Sequence, residues 1–517
     1  MRVAVRNNCN VSNVEELERE VVKLREENAL LRVQRDDFER LWKALRDRIY
    51  GKKTERFANQ PFLPGFGPDE HDDVGSLETP PYVDEAPDDE SDEVPEPKKS
   101  KRKPRKAMKI GSGVPRVEEV VEVTDDERAC PCCGEAREII GYEDTEKLEF
   151  RPASYFVRVL RRPKLACKKH EEAGVFTPDL PPQVIDKGIA GASLLAQVIT
   201  AKYRDHLPLY RQARIALRHG VELPESTLGD WIRHSAWLVQ AIVVAMHQRI
   251  LRGSYIATDD TSITMLGAGG KKQSKRAFLW AYLGEPGDVV FDFTTGRSRD
   301  GPKRMLDGFQ GYLQADAYGG YDQLYLSGKI LEVGCMAHAR RRFFDALETD
   351  RTRSEMVLAA VHELYVIERE GRDLSNEERH ALRQARAAPI FDDLLKLIRA
   401  MGDRVLPKSP IGKAVAYFMK NHVALRRYLD DPTLRIDNNR TERVMRQIAV
   451  GRKNWLFAGS EAGGHRAATH YTLTVSCWEL GIDPFVYLTD VLERLATTPS
   501  AEIESLTPRN WAAALPK

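Results

Sequence analysis

The chain has 517 residues, of which 42% are hydrophobic and 30% are charged, with 79 Lys and Arg against 78 Asp and Glu. This length predicts two to four folded modules, and the composition is that of a soluble protein with a sizeable core. No apolar run approaches the ~20 residues that cross a bilayer, and the N-terminus lacks the apolar core of a signal peptide. The sequence therefore predicts a cytoplasmic protein with no membrane partner.

A heptad repeat runs from Val14 to Ile49. Apolar residues recur at two positions of each heptad and charged residues occupy most of the others, which is the pattern of a coiled coil. Asn28 at a core position would pair with its counterpart in a two-stranded arrangement. The repeat predicts a homodimer or a higher oligomer; a lone amphipathic helix packed on its own protein would give the same spacing.

An acidic segment and then a basic one follow the heptads. The part from Pro61 to Pro97 is rich in Pro, Asp and Glu and poor in aliphatic residues, which predicts disorder. The block from Lys98 to Lys106 is crowded with Lys and Arg, and it either contacts DNA phosphates or is a solvated tail that the acidic run neutralises. Because such blocks cancel in the net charge of +1, that value does not argue against nucleic acid.

Two pairs of metal-ligand residues bracket a short β-rich module. The pairs are Cys130 with Cys133 and Cys167 with His170, and two residues separate the members of each pair. Thiolate and imidazole groups at this spacing commonly close a tetrahedral structural site, with Zn²⁺ the expected metal. Cys132 is a spare thiol that could replace either neighbour. Alternatively, the second pair consists of ordinary surface residues unrelated to the first.

Two short helices joined by a turn are predicted in the next, helical part of the chain. The first covers residues 207–217, the turn contains Gly220, and Ser226 is the predicted N-cap of the second. These lengths fit a helix-turn-helix that reads the DNA major groove, and they also fit an ordinary pair of packed helices.

Three carboxylates stand out in the second half of the chain. Asp259 and Asp316 each follow an apolar, strand-like run, and Glu442 lies on a predicted helix crowded with Arg and Lys. Acids at strand ends lie where α/β sheets bind ligands, and three converging carboxylates can hold divalent metal ions against a phosphodiester. A single Asp at a strand end is more often a turn or cap residue, so the hypothesis depends on all three acids.

Long motifs around these acids carry a resemblance to a known family. They are Asp259-Asp260-Thr261, Gln314-Ala315-Asp316-Ala317-Tyr318, Cys335-Met336-Ala337-His338-Ala339-Arg340-Arg341, Asn438-Asn439-Arg440-Thr441-Glu442-Arg443, and the segments 451–460 and 481–488. Over nearly its whole length the chain resembles the large transposase of the bacterial insertion-sequence-sixty-six family. That family usually has Glu where this chain has Asp260, and Cys is common where it has His170. Alternation along a strand leaves Asp260 open as the ligand in place of its neighbour.

The resemblance implies an RNase H-like domain in which Asp259, Asp316 and Glu442 form a DDE triad for Mg²⁺ or Mn²⁺. It implies cleavage at the inverted-repeat ends of a transposon, transfer of the freed 3′-hydroxyl into target DNA, and accessory transposition proteins as further partners. The residues expected to contact DNA are His338, Arg341, Arg440, Arg443, Arg446, Arg452 and Lys453. The rival interpretations are a non-catalytic DNA-binding regulator and an RNase H-like nuclease without strand transfer.

The fold expected from these features is multidomain. It combines an N-terminal α-helical coiled coil, a small β-rich zinc-binding module and an α/β RNase H-like catalytic domain with a helical insertion. The predicted segments are a dimerisation helix at 12–50, a disordered linker at 58–112, a zinc-finger-like module at 116–178, a helical DNA-binding region at 185–250, the catalytic domain at 251–475 with its insertion at about 343–430, and a helical tail at 476–517.

Overall fold

The computed structural model describes residues 188–267 and 274–515. Shorter described stretches precede them, at residues 20, 22–25, 29, 32, 36–46, 48, 154–160, 165–166, 175–176 and 182–185. The four predicted zinc ligands, the predicted linker and much of the heptad repeat lie outside the described residues. Within these ranges, no helix has the length and hydropathy that a membrane crossing requires.

The described strands form a two-stranded sheet and a larger, mixed sheet. They are β1 Leu165–Ala166, β2 Val175–Phe176, β3 Tyr255–Met265, β4 Lys275–Leu283, β5 Val289–Thr294, β6 Gly311–Gln314, β7 Ile330–Val333 and β8 Phe457–Ala458. The larger sheet has the order β5-β4-β3-β6-β7, with the short β8 paired to the far end of β3. In this sheet β4 is antiparallel to both of its neighbours, β5 and β3, whereas β6 and β7 run parallel to β3.

Helices precede, connect and follow these strands along the chain. They are α1 Ala192–Tyr203, α2 Leu209–Arg218, α3 Glu225–Leu238, α4 Gln240–Arg252, α5 Asp300–Met305, α6 Asp322–Tyr325, α7 Met336–Asp345, α8 Arg351–Glu370, α9 Asn376–Leu382, α10 Ala388–Gly402, α11 Pro410–Arg426, α12 Asn439–Trp455, α13 Glu461–Glu479, α14 Pro484–Leu495 and α15 Pro508–Ala513. A π-helical turn, Arg383–Ala387, joins α9 to α10. Short 3₁₀ turns are Gly319–Tyr321, Arg427–Leu429 and Ser500–Leu506.

The core lies between the sheet and the helices packed on it. All residues of β5 except the last are buried, as expected for an apolar strand that is covered on both faces. α13 lies along β5, and its hydroxyl groups bind the strand backbone: the Phe291 N–H donates to Thr472 Oγ1 at 2.9 Å, and the Val289 N–H donates to Ser476 Oγ at 3.2 Å. Side chains of α13 thereby satisfy backbone groups of β5 that the sheet ladder leaves unpaired.

The first predicted strand is longer than its apolar run. β3 continues through Thr261 and Ser262 to Met265 because β4 pairs with it over nine residue pairs, which overrides the polar composition of its second half. The prediction that Asp259 closes a strand is therefore wrong, since this residue lies inside β3. Asp316 does follow its strand, two residues after the end of β6.

The helices α8 to α11 lie between α7 and α12 along the chain, in the region of the predicted insertion. They have an aromatic core of their own, in which the Phe418 ring lies 5.8 Å from that of Phe391 and 6.5 Å from that of Phe343, a residue of α7. The residues 36–46 are helical and contact this group: Leu45 is buried, and Arg48 Nε lies 2.7 Å from Asp393 Oδ2 on α10. The end of the predicted coiled-coil helix thus packs on its own chain.

The structure corrects two local predictions, one at the start of α3 and one at the C-terminal boundary of the catalytic domain. α3 begins at Glu225 after Pro224, and Ser226 is not its N-cap, since the fixed φ of proline already breaks the preceding turn. At the C-terminal end, the boundary predicted between residues 475 and 476 falls inside α13. Tyr487 and Val491 on α14 belong to the same buried cluster as the sheet. The C-terminal helices therefore complete this core.

Candidate active site

β3 and β6 place two carboxylates side by side. The parallel pairing of these strands ends at Ala257 and Gln314, so Asp259 and Asp316 stand at equivalent positions, two residues further along each chain. After Asp316 the backbone turns sharply at Ala317, which has a φ of 64°, a conformation that non-glycine residues adopt mainly where the surroundings hold it. The Tyr318 N–H donates to Asp316 Oδ1 at 3.1 Å, which fixes the carboxylate at this turn.

α12 brings Glu442 to the same edge of the sheet. Asn438, at the N-cap position of this helix, is buried, and its Nδ2 donates to the carbonyl oxygen of Thr258 at 2.9 Å. Thr441 Oγ1 in turn donates to Asn438 Oδ1 at 2.5 Å. The asparagine therefore ties the first turn of α12 to the strand residue that precedes Asp259.

The three acids share one electrostatic environment. Burial raises the pKa of Asp259 to about 7; the backbone N–H of Asp260 opposes the rise, and the negative charges of Asp316, Asp260 and Glu442 add to it. The oxygen atoms of Asp259, Asp316 and Glu442 do not all lie within 4.8 Å of one another in the described structure, but half-buried carboxylates that repel one another are the kind of donor that Mg²⁺ or Mn²⁺ takes. The residues present thus fit a divalent cation.

Asp260 has a different surrounding. Its Oδ1 accepts bonds from Arg297 Nε at 2.9 Å and from Arg297 Nη2 at 2.6 Å. The same guanidinium lies 3.8 Å from Asp316 Oδ2 and 4.1 Å from the centre of the Tyr318 ring. Because Asp260 already has a cationic partner in Arg297, the geometry favours Asp259 as the ligand.

Arg297 was missed by the sequence analysis. It follows β5, and β3, β5 and β6 all run toward the same edge of the sheet. Its position just after a strand that ends at the same edge as β3 and β6 could have indicated a role in the site. That position can be recognised only when the order of the strands is known. Arg297 holds Asp260 and shields one side of Asp316.

α7 contributes a histidine to this edge. His338 Nδ1 lies 3.9 Å from Glu442 Oε1, and Cys335 Sγ completes a group of possible ligand atoms that all lie within 4.8 Å of one another. Arg341, one turn further along α7, is exposed. The histidine predicted to contact DNA is thus next to Glu442.

The basic residues of α12 lie on two different faces. Arg443, Arg446 and Lys453 are exposed and recur at intervals of three and seven residues, which places them along one side of the helix. Arg440 is buried on another side, where its guanidinium binds Glu479 at 2.7 and 2.8 Å and the carbonyl oxygens of residues 284 and 285. Arg440 therefore anchors the helix to α13 and is not on the exposed basic stripe.

A cavity of about 480 Å³ opens beside the second half of β3, with Lys275, Arg276 and Arg452 among its lining residues. Arg452 Nη1 binds the Ser262 carbonyl oxygen and lies 3.3 Å from Thr261 Oγ1. Burial and the charge of Arg276 lower the pKa of Arg452. Crowded cations of this kind favour an anion such as a phosphate group.

Metal binding is expected to strengthen as the pH rises toward about 7, the pKa of Asp259. A carboxyl group must lose its proton to bind a cation, so protons compete below this pKa and the apparent affinity falls by about tenfold for each pH unit. Titration calorimetry with Mn²⁺ on both sides of neutral pH measures the effect. The Asp259→Asn variant is the control and should lose this dependence; a flat wild-type profile would contradict the assignment.

Comparisons with known proteins match three parts of the chain to one family. Residues 187–466 match the transposase IS66 family, residues 127–169 match the zinc-finger binding domain of transposase IS66, and residues 472–509 match the IS66 C-terminal element. The zinc-finger match contains Cys130, Cys133 and Cys167 and ends just before His170. It identifies a zinc-finger domain in the part of the chain where the sequence predicted a Zn²⁺ site.

Similar proteins occur in Sinorhizobium fredii. Protein y4qI is 35% identical over 430 residues, which cover 80% of this chain and 79% of y4qI. Protein y4jD is 33% identical over 463 residues, which cover 85% of this chain and 89% of y4jD. The resemblance found from the motifs is thereby confirmed, since the main family match covers more than half of the 517 residues: the chain belongs to the IS66 transposase family.

Proposed function

We propose that this protein cleaves DNA at the ends of a transposon and joins the freed 3′-hydroxyl to target DNA. The observation that carries the proposal is the placement of Asp259, Asp316 and Glu442 at one edge of the sheet, where burial and, to a smaller extent, the charges of Asp316 and Glu442 raise the pKa of Asp259. The strand order, with three antiparallel strands followed by two parallel ones, supports the RNase H-like domain that the family resemblance implies.

In this proposal the three carboxylates hold Mg²⁺ or Mn²⁺. A bound cation lowers the pKa of the attacking oxygen and stabilises the charge on the leaving oxygen in an in-line displacement. Asn438 fixes the position of Glu442 through its bond to β3, and Arg297 keeps Asp260 neutralised beside the site. No protein nucleophile is needed, since water attacks in cleavage and the DNA 3′-hydroxyl attacks in strand transfer.

The DNA backbone is proposed to follow the cations next to this edge. Arg443, Arg446 and Lys453 form the exposed stripe on α12, and Arg341 is exposed on α7. The cavity that includes Arg452 would take a phosphate group between its cations. Contacts of this kind position DNA without reading its sequence, and they make binding weaker at high salt.

Two further parts of the proposal concern the N-terminal region. We propose that Cys130, Cys133, Cys167 and His170 hold a structural Zn²⁺ in the zinc-finger domain, which binds DNA or braces a neighbouring domain. The heptad repeat is proposed to pair two copies of the chain. A transposase that acts on two DNA ends needs two active sites in one assembly, and a dimer supplies them.

The test uses the full-length protein and a labelled DNA duplex that carries the inverted repeats flanking the gene. With Mg²⁺ or Mn²⁺ we expect a new 3′ end at the transposon boundary and, when a plasmid is added, a joined product. Specific binding with neither product would support a DNA-binding regulator instead, and cleavage without joining would support a nuclease. A pre-cleaved duplex separates a failure of cleavage from a failure of strand transfer.

A further inference from the structure

The starts of α7 and α12 are hydrogen-bonded to each other. The backbone N–H of Asn438 donates to Cys335 Sγ at 3.2 Å, and the N–H of Met336 donates to the carbonyl oxygen of Ile436 at 3.0 Å. These bonds join the residues that begin the two helices, so the positions one turn into each helix are fixed relative to each other. Those positions hold His338 and Glu442.

His338 Nδ1 is buried, and no hydrogen-bond partner for it is present among the described residues. Its 3.9 Å distance to Glu442 Oε1 is too long for a hydrogen bond. Two atoms that each bind one ion at about 2.1 Å lie roughly 3 Å apart when the angle between them is a right angle and about 4.2 Å apart when they are opposite each other. The observed separation falls in that span. A buried ring nitrogen without a partner therefore faces a carboxylate at the distance of two ligands of one ion.

We propose that His338 is a fourth protein ligand of the catalytic site and binds, through Nδ1, the same divalent cation as Glu442. The inference rests on the proposed function, which makes Glu442 a metal ligand. Cys335 does not take part, because its buried sulfur already accepts the N–H of Asn438. An imidazole ligand among carboxylates favours Mn²⁺ over Mg²⁺, since Mg²⁺ takes oxygen ligands almost exclusively.

Pulsed electron paramagnetic resonance of the Mn²⁺-loaded full-length protein tests the proposal. A nitrogen bound directly to Mn²⁺ gives a ¹⁴N coupling that an outer-shell histidine does not give. We expect this coupling in the wild type and its loss in His338→Gln, together with a fall in Mn²⁺ affinity of about tenfold or more and a smaller fall for Mg²⁺. His234→Gln, at an exposed histidine on α3, is the matched control and should keep the coupling.

The possible results separate this inference from the proposed function. Mn²⁺ binding without ¹⁴N coupling, or a coupling that survives in His338→Gln, overturns the histidine ligand, and the histidine then contacts DNA or an outer-shell water. Absence of Mn²⁺ binding in the wild type also overturns it. If the coupling is present but neither cleavage nor joining occurs, the proposed function fails while the metal ligand stands. Circular dichroism of the variant checks that its fold is intact.

Discussion

Replacement of Asp316 with Asn is expected to reduce cleavage of transposon-end DNA by on the order of a thousandfold or more. The amide is nearly the same size as the carboxylate but lacks the negative charge that holds a cation, and the stabilisation lost in the transition state amounts to several kcal/mol. End binding should change little, because the exposed cations of α12 are untouched. A gel-based cleavage assay and a mobility-shift assay on the same duplex measure the two effects.

The matched control is Asp322→Asn. Asp322 is an exposed acid six residues further along the chain, on α6, and its replacement changes the net charge by the same amount. We expect near-normal cleavage from this variant. Retained cleavage in Asp316→Asn with Mg²⁺ present would remove Asp316 from the metal site, and equal losses in the two variants would show a general charge effect.

Arg383→Ala is expected to destabilise the protein by about 3–5 kcal/mol. Arg383 is 1% exposed and binds Glu368 through two hydrogen bonds, at 2.8 and 2.7 Å. Its guanidinium also donates to the carbonyl oxygens of Tyr428, Asp431 and Leu434 at 2.7–2.9 Å. Removal of the arginine leaves the Glu368 charge buried without this partner and leaves three carbonyl groups without a donor.

Urea denaturation followed by circular dichroism measures this loss. Arg386→Ala, in the same π-helical turn, is the control: Arg386 is 42% exposed and pairs with Glu363 and Glu370 at the surface, so its removal should cost about 1 kcal/mol or less. The double variant Arg383→Met with Glu368→Leu should recover part of the loss, because it removes both buried charges. Similar stabilities for the two single variants would show that the buried arginine is not structural.

The same contacts connect the insertion to the site. Arg383 binds the loop from Tyr428 to Leu434, and a few residues later that loop enters α12 and Glu442. At its other end the loop is held by Gln314 Nε2, which donates to the carbonyl oxygen of residue 435 at 2.9 Å. The helices between Asp316 and Glu442 therefore hold the loop that precedes α12, and this loop positions Glu442.

The sequence predicts a triad of three acids, but it does not predict the structure around them. The motifs identified Asp259, Asp316 and Glu442 because each lies in a stretch that resembles one family. The length of β3 could not be read from its composition, since its polar second half is held in the sheet by pairing with a strand ten residues further along. Contacts between distant segments, such as the bond from Asn438 to Thr258, have no local signature.

The basic helix shows what periodicity alone could have added. The many cations of this segment predict that Arg440 contacts DNA like its neighbours, yet Arg440 is in phase with Val444 and Ile448, the buried residues one and two turns later. The helical repeat alone thus separates a buried arginine from the exposed ones. The fitting partner, Glu479, lies 39 residues away and could be found only in the folded chain.

The hydroxyl groups that α13 directs at β5 have a consequence for how copies of this protein meet. An exposed sheet edge can pair with the edge of another molecule and start aggregation. Here the N–H groups of Val289 and Phe291 are already bound by side chains of a covering helix, so a strand from a neighbouring copy finds no row of donors at this place. Copies of the protein that bind close together on the same DNA would therefore not pair with one another through this edge of the sheet.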